Sequence, residues 1–220
     1  MSSGKGPRLH VEGLDDQYVI GNLLELHGYK LEKTRAIPSR PEIVQHKGVE
    51  GVFARLKTFQ LEDGYTQGYV LDADGVSDAQ SRWQAVRDIL TKQAIPIPPK
   101  APPDGFVGQD ESGQKIGVWL MPDNQRSGAI EHFLQDLAAS NDVLMQHAIT
   151  ATHQAKHEKG ALFPDSQHPK AEIRAWLAWQ KEPGCSYGTA LAKSYFNHDV
   201  DIARAFVAWV KRLFEPDSVE

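Results

Sequence analysis

The sequence has 220 residues, of which 40% are hydrophobic and 24% are charged, an ordinary composition for a chain that buries a core. Its single cysteine, Cys185, excludes an internal disulfide and a cysteine-based zinc cluster, and suits a reducing cytoplasm. The net charge of −5 is unusual for a protein that binds nucleic acid unaided, because phosphate contacts usually supply most of the affinity. If nucleic acid is the substrate, a divalent metal or a partner chain must offset the repulsion.

The first residues, MSSGKGPR, are polar, and the apolar core of a signal peptide does not follow them. No apolar stretch approaches the roughly 20 residues that are needed to cross a bilayer. We therefore expect a cytoplasmic protein that has no membrane contact.

Along the first 140 residues, short apolar runs alternate with segments of helical periodicity. We predict helices at 18–26, 49–59 and 78–91, with Asp15 or Asp16 capping the first and Gly28 following its end. Five prolines within residues 95–104 indicate a stiff surface connector. Strands are predicted at 9–11, 42–45, 68–71, 106–107 and 116–121, with a hairpin turn at 110–114 between the last two.

Beyond Pro122 the chain is predominantly helical in pattern, with helices predicted at 129–137, 143–156, 170–180, 190–196 and 202–214. Alternating strands and helices favour an α/β fold with a mostly parallel sheet flanked by helices. We expect a single domain over 7–214, with a sheet core at about 7–140 and a helical C-terminal part at about 141–214. Residues 1–6 and 215–220 are expected to be flexible ends.

Acidic residues are concentrated where three predicted strands end. Because ligands of open α/β sheets lie outside the carboxyl ends of the strands, these acids are expected to face one site. Asp72 and Asp74 leave the same face of an extended chain and would repel each other unless a cation lay between them. Mg²⁺, or Mn²⁺, suits such a pair, and Glu12 would complete the site from the neighbouring strand. The three segments are VEGLDD at 11–16, VLDADG at 70–75 and WLMPDN at 119–124, with Glu131 on the helix after the third.

These acids also have a simpler interpretation as helix caps. Asp15, Asp16 and Asp74 each follow a predicted strand and precede a predicted helix, where a carboxylate often accepts hydrogen bonds from the first backbone N–H groups. The coincidence of acids at three strand ends favours the metal site over three independent caps.

The motifs VEGLDD and LDADG resemble the Toprim domain. Type IA topoisomerases, bacterial primases, the recombination mediator RecR, the maturase of 5S ribosomal RNA and the OLD-family nucleases share this Rossmann-like domain. In that family a glutamate after the first strand and a DxD after a later strand bind Mg²⁺. The resemblance therefore implies Glu12, Asp72 and Asp74 as metal ligands, and Asp16 as a further ligand in the manner of the OLD-type branch.

Longer strings are similar to a group of small prokaryotic Toprim-like proteins related to the OLD nucleases, over about residues 9–214. These strings are SRW at 81–83, WLMPDNQRSGAIEHFL at 119–134 and KAEIRAWLAWQ at 170–180. In OLD-type nucleases an acid on a later helix and a lysine near the end of the domain also serve the site, which implies roles for Glu131 and Lys170. Many Toprim domains continue the DxD as DxDxxG with a further acid. Here Gly75 follows Asp74 directly, and Asp78 is the candidate substitute for the further acid. The number of bound metal ions, one or two, therefore remains open.

The resemblance implies a Mg²⁺-dependent phosphodiesterase or nuclease that acts on nucleic acid, DNA rather than RNA, in phage defence or DNA repair. Glu12 would serve as a base, and Lys170 would offset negative charge in the transition state. The sequence lacks the cysteine module of RecR and the further domains of topoisomerases and primases.

The alternative from another class is a regulatory subunit beside an ABC- or SMC-type ATPase, since this sequence has no Walker A motif. RNA trimming is a third interpretation, and a homo-oligomer is compatible with all of them.

Two further features have ordinary interpretations. His153 and His157 stand four residues apart on a predicted helix, a spacing that zinc can use, but Gln154 occupies the position of the zincin glutamate. A solvated helix face is the favoured interpretation. No local motif around Cys185 indicates a nucleophile.

Overall fold

The structure, a computed structural model, describes residues 6–29, 41–59, 65–75, 78–139 and 141–215. Most of the two predicted flexible ends, residues 1–5 and 216–220, lies outside these ranges. The described strands are β1 (Arg8–Val11), β2 (Glu42–Gln45), β3 (Gln67–Asp72), β4 (Phe106–Gln109) and β5 (Lys115–Met121). The helices are α1 (Leu14–Leu26), α2 (Val49–Lys57), α3 (Ala79–Thr91), α4 (Ile130–Leu137), α5 (Val143–Glu158), α6 (His168–Ala178), α7 (Tyr187–Ala192) and α8 (Asp201–Phe214).

The strands form one sheet in the order β2-β1-β3-β5-β4. The first four strands of that order are parallel to their neighbours, and β4 pairs antiparallel with β5 at the edge. This confirms the predicted α/β architecture with a mostly parallel sheet. The chain leaves β1 for β2 on one side and then crosses to β3 on the other, so the strand order reverses between β1 and β3. In open α/β sheets a crevice for ligands forms at this point, outside the carboxyl ends of the strands.

Hydrophobic residues on the two faces of the sheet pack against different helices, because successive side chains of a strand point to opposite faces. Leu9, Val11 and Val70 belong to a core with α1 and the helical C-terminal part. Tyr69 and Leu71 belong to a second core with α2 and α3. The helices after β5 thus cover one face of the sheet. Complete burial of each large apolar side chain contributes about 1.5 to 3 kcal/mol to the free energy of unfolding.

The N-cap residues of α1 and α3 test the interpretation of the acids as helix caps. Helix α1 begins after Gly13, so the prediction that Asp15 or Asp16 is its N-cap is wrong. Gly28, with φ of +77°, follows the end of α1 as predicted. Helix α3 is capped by Asp78, whose carboxylate accepts hydrogen bonds from the N–H of Ser81 at 2.7 Å and its Oγ at 2.9 Å. Asp78 is therefore the N-cap of α3, whereas neither Asp15 nor Asp16 is the N-cap of α1.

The helical C-terminal part differs from the prediction in two places. Helix α7 begins three residues earlier than predicted, because Ser186 caps it by accepting a hydrogen bond from the N–H of Thr189. A 3₁₀ turn at Asp165–Gln167, which the sequence pattern does not indicate, precedes α6. None of the helices in the described ranges is long and apolar enough to span a bilayer.

Candidate active site at the ends of β1 and β3

A cleft of about 420 Å³ opens at the carboxyl ends of β1 and β3. Five of the six residues predicted for the site line it: Glu12, Asp72, Asp74, Glu131 and Lys170. A larger groove of about 680 Å³ runs beside β4 and contains none of the predicted residues. The smaller cleft is therefore the candidate site, because it holds the convergent ionisable groups.

Glu12 links the two strand ends. It follows β1 directly, and its Oε1 accepts a 2.9 Å hydrogen bond from the backbone N–H of Asp72. Burial, and to a lesser extent the charge of Asp74, raise the pKa of Glu12, whereas the Asp72 N–H and the Arg82 guanidinium lower it, and the net result is a pKa of about 6. Glu12 can therefore exchange a proton near neutral pH.

Asp72 is the last residue of β3, and its side-chain oxygen Oδ1 is buried. Its Oδ1 accepts no hydrogen bond from any side chain or backbone group in the described part of the protein. Burial raises the pKa of Asp72 well above 3.8, and the nearby carboxylates of Asp16, Glu12, Asp74 and Glu131 raise it further. A buried polar atom without a partner is costly, so this oxygen is suited to hold a proton or to contact a cation.

Asp16, the sixth predicted residue, lies behind the cleft and is not among the described residues that line it. Its side chain is buried in the first turn of α1. Burial and the charges of Glu12 and Glu131 raise the pKa of Asp16, whereas the backbone N–H groups of Asp16 and Gly13 lower it, and the net result is a pKa of about 7. Asp16 thus contributes negative charge to the cluster from within the protein.

Arg82 contacts the segment that carries Asp74, and the sequence interpretation missed it. It is buried on α3, and its NH2 donates a 2.8 Å hydrogen bond to the carbonyl oxygen of Asp74. Its guanidinium also lies 5.6 Å from the centre of the Phe53 ring. Arg82 therefore holds the chain after β3 while the carboxylate of Asp74 stays exposed. The sequence signal for this contact is an arginine in the first turn of α3, soon after its N-cap residue.

The opposite wall of the cleft comes from the helical part. Glu131 is buried in the first turn of α4, and its Oε1 lies 3.4 Å from Nζ of Lys170 and 3.5 Å from the hydroxyl of Tyr187. Lys170 is half exposed at the start of α6. The 3₁₀ turn before α6 and His132 on α4 also line the cleft, and the sequence interpretation missed both.

Two other acids, Asp123 and Asp78, accept hydrogen bonds from backbone N–H groups in a turn and at a helix N-terminus. Asp123, in the third acidic segment, accepts hydrogen bonds from the N–H groups of Gln125 at 3.0 Å and Arg126 at 2.8 Å, and it pairs with the Arg126 side chain. The described lining of the cleft therefore includes Glu131, on the helix after the third segment, rather than Asp123. Asp78, the candidate for a further Toprim acid, is the cap of α3 and is not among the described residues lining the cleft.

As the side chains stand, no three His, Cys, Asp or Glu residues in the described ranges are placed to hold a metal ion. The acids converge, but their oxygens are not arranged as a complete set of protein ligands.

A family model described as "Protein of unknown function (DUF3226)" matches residues 7–215. The chain belongs to this family. The DUF3226 match includes every described helix and strand and all six predicted site residues. No curated protein matches the chain. No solved structure matches it either.

Proposed function

We propose that this DUF3226 protein is a Mg²⁺-dependent phosphodiesterase or nuclease with a Toprim-like site. The observation that carries the proposal is the buried Oδ1 of Asp72, which has no hydrogen-bond partner among the described residues and lies among converging carboxylates at the point where the strand order reverses. Burying like charges together is unfavourable unless a cation or protons compensate them. A divalent cation would relieve this repulsion and give Oδ1 a partner.

Asp72, Asp74 and Glu12 are the residues that would hold Mg²⁺ or Mn²⁺. They fit a hard cation because all their donor atoms are carboxylate oxygens, and Asp72 offers a free one. Asp16 and Glu131 would add negative charge around these three residues. When bound, the metal would supply Lewis-acid activation of a phosphodiester and of water.

The remaining roles fall to two residues of the cleft. Glu12, with its pKa raised to about 6, can accept a proton from a nucleophile near neutral pH. Lys170 places an ammonium group in the cleft beside Glu131, where it can bind a phosphate oxygen and offset charge in the transition state.

The proposed substrate is nucleic acid, with DNA favoured over RNA. The net charge of −5 and the acidic cleft oppose binding to a polyanion, so affinity would come from the metal and from a partner. An ABC- or SMC-type ATPase is the proposed partner class, since such a subunit would supply the nucleotide-driven step that this sequence lacks.

The second candidate is a regulatory subunit that does no chemistry. It is favoured by the pairing of Glu131 with Lys170 and by the lack, among the described residues, of a ready set of metal ligands. In this case the acidic cluster would titrate or bind a cation only to set the shape of the cleft.

Titration calorimetry with Mg²⁺ and Mn²⁺ tests the proposal on the wild type and on the double variant Asp72→Ala/Asp74→Ala. Asp88→Asn, which removes an exposed acid of α3 that is not among the residues lining the cleft, is the charge control. We expect binding in the wild type and the control only. The same proteins are then incubated with duplex DNA, single-stranded DNA and structured RNA. Metal binding without cleavage of any of them would favour the regulatory candidate, and no metal binding at millimolar concentration would reject the site.

A further inference from the structure

Three histidine rings converge on the outer side of the α5–α6 pair. The ring centres of His153 and His157 are 4.3 Å apart, and each lies 6.3 Å from the ring centre of His168. The first two belong to α5, whereas His168 is the first residue of α6. The sequence spacing gives the pair on α5, and the tertiary structure adds the third ring.

The local structure explains why these rings face one another. Helix α5 buries Met145, Ala148 and Thr152, so it is anchored through one face. His153 and His157 are four residues apart and therefore project from neighbouring turns on one side of the helix, where both are exposed. Pro169 follows His168 in the first turn of α6 and favours a helix start at this point.

Neighbouring side chains hold the third ring in place. Nε2 of His168 lies 3.3 Å from Oε1 of Glu172, and Oε2 of Glu172 accepts a 2.5 Å hydrogen bond from Gln135. The ring also packs edge-on against Phe163, with 5.5 Å between the ring centres. A histidine that donates one N–H to a carboxylate presents its other nitrogen, here Nδ1, as a lone pair, which is the usual arrangement of a metal-binding histidine.

The spacing of the rings is close to that of a three-histidine metal site. Metal–nitrogen bonds of about 2.0 to 2.1 Å in a tetrahedral arrangement place ring centres roughly 5 to 6 Å apart. The observed separations of 4.3, 6.3 and 6.3 Å bracket this range. As the side chains stand, no three such residues in the described ranges are placed to hold an ion, so binding requires the two exposed rings to rotate about their χ angles.

We propose that His153, His157 and His168 form a binding site for Zn²⁺ or a similar borderline transition metal, with water as the fourth ligand. Imidazole is the ligand that suits these ions, whereas the all-carboxylate cleft suits Mg²⁺. The proposal does not rest on the proposed function, because it involves different residues and a different class of ion.

A metal at this site would link α5 to residues 165–170, which form one wall of the cleft. Lys156, one residue before His157, already donates to the carbonyl oxygen of Phe163 at 2.5 Å and lies 3.2 Å from Asp165. Lys170 follows His168 by two residues. Bound zinc would therefore restrain the position of Lys170 relative to the acids of the cleft.

The test is zinc titration calorimetry at pH 7.5 on the full chain without a polyhistidine tag. We expect one Zn²⁺ per chain, and affinity about 100-fold lower in His157→Gln because one of three protein ligands is lost. Glu172→Gln, which alters the carboxylate behind His168, is expected to lower affinity about 10-fold. Binding should also weaken at pH 5.5, where protons compete for the imidazoles.

Two controls separate this site from other sources of zinc affinity. His147→Gln removes an exposed histidine of the same helix that contacts Trp179 and should leave zinc affinity unchanged. Asp72→Asn should also leave it unchanged, since the acidic cleft is a separate site. A stoichiometric zinc site that survives His157→Gln, loss of zinc in Asp72→Asn alone, or no zinc binding by the wild type would each overturn the proposal.

Discussion

The backbone N–H of Asp72 donates a 2.9 Å hydrogen bond to Oε1 of Glu12, and this bond joins the ends of β1 and β3 within the candidate site. It uses one oxygen of Glu12 and fixes the direction of that side chain. It also places Glu12 beside an aspartate whose own Oδ1 has no partner in the described part of the protein. The two residues are 60 positions apart, so only the parallel arrangement of the strands brings them together.

Replacing Asp72 with asparagine should stabilise the metal-free protein and abolish its response to Mg²⁺. The carboxylate is buried among other acids, so removing its charge relieves repulsion by about 1 to 3 kcal/mol. Wild-type protein should gain thermal stability on addition of Mg²⁺, because a ligand of the folded state shifts the unfolding equilibrium. Thermal unfolding with EDTA and with 10 mM Mg²⁺ measures both effects, and equal Mg²⁺ stabilisation of the variant would contradict the assignment.

The buried carboxyl of Asp16 should make the metal-free protein less stable as pH rises. Its pKa is about 7 in the folded state against an ordinary value of 3.8, so between these values the folded state binds more protons than the unfolded state. Stability therefore falls as pH rises from about 4 to about 7. Urea unfolding in EDTA should show Asp16→Asn to be more stable than wild type at pH 8, by about 1 to 4 kcal/mol, and nearly equal to it at pH 4. A constant difference across this range would reject the shift.

His10 should have the opposite pH dependence. It is buried, its Nδ1 lies 2.9 Å from Nε2 of His46, and its Nε2 lies 2.9 Å from Oε1 of Gln67. Burial lowers the pKa of His10 to about 3 from 6.5, so the unfolded state binds more protons between these values and stability rises with pH. The destabilisation caused by His10→Gln should be about 2 kcal/mol smaller at pH 5 than at pH 7. Urea unfolding at both pH values checks this, and an equal destabilisation would contradict it.

Lys170→Gln separates a role in chemistry from a role in stability. Its ion pair with Glu131 is half exposed, so its loss should change the free energy of unfolding by less than about 1 kcal/mol. If Lys170 binds the phosphate in the transition state, cleavage should fall by about 10² to 10³. Lys170→Arg, which keeps the charge, should retain more activity than Lys170→Gln. Equal cleavage by the wild type and Lys170→Gln would remove Lys170 from the site.

Two glycines with similar backbone angles should respond differently to alanine. Gly105 has φ of +80°, and a Cβ there would lie 2.5 Å from Trp209 and 2.8 Å from Trp119. Gly113 has φ of +83° in the β4–β5 turn, where a Cβ would meet nothing within 4 Å. Gly113→Ala should cost about 1 kcal/mol through backbone strain alone, whereas Gly105→Ala should cost at least about 2 kcal/mol more through overpacking. Equal losses in chemical denaturation would show that the tryptophans move aside.

Local chemistry made the elements and three residues of the cleft, Glu12, Asp72 and Asp74, predictable, whereas the roles of Glu131 and Lys170 followed from the resemblance to OLD-type nucleases. The strand–turn–helix pattern gives β1, α1 and β3, and the VEGLDD and LDADG segments place acids at the ends of strands in any parallel sheet. The cap of α1 was mispredicted because Asp15, Asp16 and Gly13 are all acceptable at such a start, and the entry of the chain from β1 decides among them. The bounds predicted for the helix at 190–196 are wrong because Ser186 caps α7, which therefore begins at Tyr187.

By itself, the sequence determined an α/β chain with converging acids, since side-chain period and residue type act over a few neighbouring residues. Tertiary structure alone decided that Asp16 lies behind the cleft while Lys170 meets Glu131 across it. It also decided that Oδ1 of Asp72 has no partner within the described ranges, that Arg82 hydrogen-bonds to the Asp74 carbonyl, and that His168 lies near two histidines of another helix. These outcomes depend on strand order and helix packing, in which residues far apart in the chain compete for the same buried space and the same partners.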